Sequence, residues 1–193
     1  MAFRIAKPKS GASVAFRQAA AASLAAAEAL LERLDLPPPF HVGAYRTSRL
    51  LLDLEELEDA CARGDRAAAA RWRRRAGRDA RALLAVARKM ARLRTEAYRL
   101  VGRLAWLRGR RRAAQRWWTR SIREGERLGA RPELARTCAE VARRLDGAAS
   151  ARVDGRSPAE LHELAGELFR ELGLAPAGEA SRAAAPIERI ANA

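Results

Sequence analysis

Apolar residues recur along this chain at intervals of three and four, broken where Gly or Pro interrupts, and the pattern predicts seven amphipathic helices. The first runs from a Ser13 cap to about Asp35, with Leu24, Leu30, Leu31 and Leu34 on its apolar side. Pro37, Pro38 and Pro39 stop it, because proline has no N–H and restricts the residue before it. The second starts at Phe40, turns Val42, Tyr45, Leu50, Leu54 and Leu57 inward, and ends near Arg63 and Gly64. Its other side carries Asp53, Glu55, Glu56, Glu58 and Asp59, which reads as a solvated acidic face. The third is capped by Asp65 and buries Ala69, Trp72, Ala76, Leu83 and Val86. Neither Pro nor Gly lies between Arg78 and Arg94, so this helix either runs on past Met90 or turns tightly near Arg92 to Arg94.

From Ala97 to Leu128 the spacing predicts a helical hairpin, its fourth and fifth helices joined at Gly109. Small residues at Gly102, Ala114 and Ser121 stand beside large ones at Tyr98, Trp106, Trp117 and Trp118, an arrangement that lets antiparallel helices interlock. The sixth helix begins at Pro132 and buries Leu134, Cys138, Val141 and Leu145. After a polar loop, Ser157, Pro158 and Glu160 form a capping box for the seventh, which carries Leu161, Leu164, Ala165, Leu168, Phe169 and Leu172 and stops at Gly173. The expected organisation is a basic arm over 1–11, an N-terminal helix over 12–36, a helical domain over 40–175 and a loose tail over 176–193, on which Ile187 and Ile190 are the residues able to dock. The fold class is all-α.

Composition supports helix, being rich in Ala, Leu, Arg and Glu, and adds an unusual charge. The chain carries a net +15, nearly all of it arginine, since its lysines are Lys7, Lys9 and Lys89. Between Arg63 and Arg123 stand 21 basic residues against Asp65, Asp79 and Glu96, an excess larger than that of the whole chain. Two explanations are open: recognition of phosphate or carboxylate by the planar guanidinium fork, or the codon usage of a GC-rich genome. Crowded like charges cost stability unless an anion approaches them. On this ground Arg74, Arg78, Arg99, Arg103, Arg110, Arg111, Arg112, Arg116 and Arg120, with Trp117 beside them, are the expected partner-binding residues.

Chemistry is sparse by comparison. His41 and His162 stand at no metal-ligand spacing, no phosphate-binding loop, nucleophile elbow or His-Glu-x-x-His run occurs, and no catalytic, cofactor-binding or metal-binding residue is expected. Cys61 and Cys138 are far apart in helical patterns that would bury them. The Ala-rich run Ala19 to Leu31 has the outline of a signal peptide, but Arg17, Gln18 and Glu28 interrupt it, and the expectation is a cytoplasmic protein without a membrane span.

The central hairpin resembles the tetratricopeptide repeat: Tyr98, Val101 and Gly102 occupy the large and small positions of its first helix, and Ala114, Trp118 and Ser121 those of its second. It departs at Ala105, where an aromatic is usual, and lacks the closing proline near Glu126. Weaker matches flank it, at Ala69 and Ala76 with Arg73 in the aromatic place, and at Cys138, Val141 and Ala142 followed after an insertion of about eleven residues by Ala165, Phe169 and Leu172. The run from Gly102 through Trp106, Trp118 and Gly125 to Thr137 is also similar to the helical repeats that end large bacterial signalling ATPases, cyclases and kinases. The resemblance implies a right-handed α-solenoid stack of about three antiparallel hairpins with an extra N-terminal helix, serving as a protein-interaction or adaptor module, detached from such a regulator or encoded alone. The charge suggests an acidic protein or peptide as partner, with nucleic acid held through its phosphates as the alternative and a second copy of the chain, acidic helix to basic belt, as a further one.

Overall fold

Capping chemistry sets several of the helix boundaries. The computed structural model describes residues 11–34, 39–148 and 150–174, and within them the chain forms α1 (Gly11–Glu32), α2 (Pro39–Ala62), α3 (Arg66–Lys89), α4 (Arg94–Leu107), α5 (Arg111–Leu128), α6 (Arg131–Arg144) and α7 (Pro158–Glu171). The one β-type pairing among the described residues is an isolated bridge between Val153 and Arg156. Asp65 caps α3 by accepting from the Ala68 amide at 2.8 Å, and the Ser157 box is complete, with Glu160 returning a carboxylate to the Ser157 amide at 2.6 Å. Between α3 and α4 the tight turn forms, a short 3₁₀ segment at Ala91–Leu93. Pro39 does not lie in the break: it is the first residue of α2, where its fixed φ and missing N–H cost nothing. Pro37 and Pro38, the basic arm before Gly11 and the tail with Ile187 and Ile190 lie outside the described residues.

The chain divides into two compact units, Met1–Arg120 and Ser121–Ala193. In the first, α2 packs on α3 and α4, α3 on α4, and α1 on α2. Its core is built from Leu50, Leu54 and Leu57 of α2, Leu83 of α3, and Leu100 and Leu104 of α4. The buried side of α3 is mostly alanine, Ala68, Ala69, Ala76, Ala80 and Ala87, so its neighbours approach its backbone closely. The apolar side expected for α1 is only partly used, since Leu30 and Leu34 are 61% and 50% exposed.

Gly102 makes the contact between α4 and α5. A Cβ there would collide with Cδ1 and Nε1 of Trp118, whose indole is fully buried. Gly109 turns the chain with φ +73°, a left-handed conformation that glycine adopts freely.

In the second unit α6 packs on α7, burying Leu134, Cys138, Val141, Leu161, Ala165 and Phe169. Ser121 Oγ and Thr137 Oγ1 share a buried hydrogen bond of 2.9 Å, and Thr137 also donates to the Glu133 carbonyl at 2.8 Å. Burial pushes the Cys138 thiol up to about 12, whereas Cys61, expected inside, is half-buried and faces Arg73 Nη2 at 3.7 Å. No helix among the described residues is long and apolar enough to cross a membrane.

Candidate basic interaction face

On α3, Arg71, Arg74, Arg78, Arg81 and Arg88 follow one another at steps of three, four, three and seven residues, which keeps them in one arc of the helix. All five are exposed, and they lie opposite the alanine side that meets the core. Arg110, Arg111 and Arg112 at the turn and Arg116 and Arg120 along α5 are exposed as well. Neither α3 nor α5 has an acidic residue in its first turn. The three carboxylates within the belt are otherwise engaged: Asp65 caps α3, Asp79 faces Asp53, and Glu96 bonds Arg99 at 3.3 Å.

Two of the expected binding residues do not belong to this face. Arg99 and Arg103 are only 8% and 6% exposed. Arg103 reaches back to α2, its Nε donating to Glu58 at 2.9 Å and its Nη2 to Glu55 at 2.7 Å. The acidic side of α2 is accordingly not a solvated face. Glu55 and Glu58 meet Arg103 of α4, while Arg17 of α1 bridges Glu56 at 3.2 Å and Asp59 at 2.7 Å. Asp53 is fully buried, with Arg75 Nε 3.2 Å from its Oδ1.

Arg103→Met is therefore expected to destabilise the fold by about 1–3 kcal/mol in urea unfolding, by removing one side of a partly buried ion pair. The cost stays in that range because Glu55 and Glu58, 28% and 27% exposed, still reach water.

The tryptophans are not open platforms. Trp117 is half-buried, its ring 5.5 Å from that of Tyr98 and its face covered by the Arg120 guanidinium at 4.8 Å. Trp106 packs on Trp118 at 5.5 Å and is covered by Arg111 at 3.4 Å. Trp72 has Arg75 at 5.3 Å and Arg71 at 5.8 Å. Each half-buried indole thus has a ring face in a cation–π contact that also holds an arginine in place.

Sequence reasoning passed over Arg108, which crosses from the end of α4 to α3 and donates to the Arg73 carbonyl at 2.6 Å. The available signal was Gly77: a glycine inside a helix costs roughly 1 kcal/mol against alanine, so it marks a close approach. Among the described residues no group of three or more His, Cys, Asp and Glu side chains is placed to hold a metal ion. The chain matches no protein-family model, no curated protein and no solved structure.

Proposed function

We propose that this chain is a non-enzymatic adaptor whose exposed arginines on α3, at the Gly109 turn and on α5 bind an acidic stretch of a partner protein. The observation that carries this reading is an asymmetry in how the charges are used. The acidic residues of α2 are taken up inside the same chain by Arg17, Arg75 and Arg103, whereas the α3 arc presents Arg71, Arg74, Arg78, Arg81 and Arg88 to solvent. That argues against a second copy as partner, because the acidic helix needed to meet the belt is already occupied. The covered indoles favour protein over nucleic acid, since single-stranded binding draws much of its affinity from bases stacked on open aromatic faces. We read the helices as about three degenerate tetratricopeptide-like hairpins, with the packing of Trp118 on Gly102 as the support, and place the module in the cytoplasm, where the free thiols of Cys61 and Cys138 are at home.

The test is a titration with poly-glutamate and with random duplex DNA at physiological salt. Poly-glutamate is expected to bind, and replacing Arg110, Arg111 and Arg112 together by Gln should weaken it about tenfold or more with helicity unchanged. Duplex binding tighter than the roughly micromolar level of any strongly basic surface would replace this reading with a nucleic-acid one.

A further inference from the structure

Arg108 closes α4 and lies in a notch on α3. The notch exists because residue 77 is glycine; a Cβ there would collide with Arg108 Nη2. Gly77 stands four residues after Arg73 and four before Arg81, so those two arginines flank the notch along α3, and Arg110 follows Arg108 into the turn. Burial first, and then the guanidiniums of Arg110, Arg81 and Arg73, hold Arg108 below the ordinary arginine range, as expected where like charges crowd one place. None of these four arginines forms an ion pair among the described residues; Arg108 spends one N–H on the Arg73 carbonyl, and Arg73 reaches only the Cys61 sulfur. By contrast Arg17, Arg75 and Arg103 each have a carboxylate within 3.2 Å.

We propose that Arg73, Arg81, Arg108 and Arg110 form a receptor for a phosphate monoester dianion carried by the acidic partner, such as a phosphoserine, seated over the Gly77 notch. The proposal rests on the acidic-partner reading and deepens it. A carboxylate brings one charge and two oxygens, enough for a single guanidinium fork. A phosphomonoester brings close to two charges and three strong acceptor oxygens on one centre, which suits several arginines placed around one notch. A nucleic-acid backbone carries its charges singly and strung out, and matches a stripe of arginines better than a cluster. Arg108 is held by its backbone hydrogen bond and by the notch, so part of its ordering cost is met before any ligand arrives.

The experiment compares a short Glu-rich peptide with and without one phosphoserine, on the wild-type chain, on the double variant Arg81→Gln/Arg110→Gln and on Arg108→Met, with circular dichroism to confirm folding. The wild-type chain should favour the phosphopeptide about tenfold or more, and that ratio should fall to near one in the double variant, whose two positions are exposed and leave the core intact. Arg108→Met, if folded, should do the same. Equal affinity of the wild-type chain for both peptides would overturn the phosphate site and leave the acidic-partner reading standing. If neither peptide binds but inorganic phosphate raises the wild-type melting temperature and not that of the double variant, the phosphate chemistry is upheld and the acidic partner is not. Duplex DNA that displaces the phosphopeptide at equal phosphate concentration would overturn the proposal in favour of a phosphodiester backbone.

Discussion

Truncating Trp118 to alanine is expected to destabilise the chain by about 3–5 kcal/mol in urea or guanidinium unfolding, the cost of emptying a fully buried aromatic site. Trp118→Phe should cost much less. It keeps a ring between α4 and α5, and it also removes the indole N–H, which is buried without a hydrogen-bond partner and is itself a penalty. The sharper test is Gly102→Ala. Alanine gains roughly 1 kcal/mol of helix propensity over glycine, but its Cβ would strike Cδ1 and Nε1 of a fully buried indole, and overpacking of this kind costs about 1–3 kcal/mol. The substitution should destabilise the wild-type chain and stabilise the Trp118→Ala chain, where the obstacle is gone. A Gly102→Ala change with the same sign in both backgrounds would show that the two helices do not meet through this pair.

That contact was legible in the sequence because a small and a large residue marked it on consecutive helices, and the Asp65 and Ser157 caps were legible for the same local reason. The fate of the arginines was not. In α4 a charged side chain gives no sign of its face: Arg99 and Arg103 stand one turn apart on a side that meets α2, and what buries Arg103 is a pair of glutamates 45 and 48 residues earlier in the chain. The acidic run of α2 misled for the complementary reason, since consecutive carboxylates point in different directions and divide among three arginines, Glu56 and Asp59 at Arg17 of α1, Asp53 beside Arg75 of α3, and Glu55 and Glu58 at Arg103 of α4. Arg108 required knowing that α4 ends beside Gly77, a proximity only the tertiary fold supplies. Asp53 was readable in principle, falling three residues after Leu50 and four before Leu57, in the middle of the buried stripe of its helix.

Asp53 should also set how the stability of this protein depends on pH. Its carboxyl is fully buried, and no N–H is aligned to donate to either oxygen, Arg75 approaching off axis. Burial pushes its pKa up to about 8, assisted by the hydrogen bond and charge of Asp79, and opposed by Arg49 and Arg78. Two carboxyl groups can share a hydrogen bond only if one keeps its proton, so the folded chain holds a proton at this pair that the unfolded chain releases near the ordinary aspartate value of 3.8. The unfolded state then binds fewer protons between about 4 and 8, and stability must fall as pH rises through that window, by at most about 1.4 kcal/mol for each pH unit, and level off above it. Other shifted carboxyl, thiol and phenol groups act elsewhere on the pH scale. Glu160, lowered by the Ser157 hydrogen bonds, loses its contribution only on acidification below the ordinary glutamate range, and Cys138 and Tyr45, both raised to about 12, act only in alkali. Asp53→Asn keeps a donor toward Asp79 without the titrating proton. It is expected to flatten the slope in urea unfolding at a series of pH values, and to be more stable than the wild-type chain at pH 8 by about the amount the wild type has lost on the way there. A variant that retains the wild-type slope would place the titrating group somewhere other than the contact between α2 and α3.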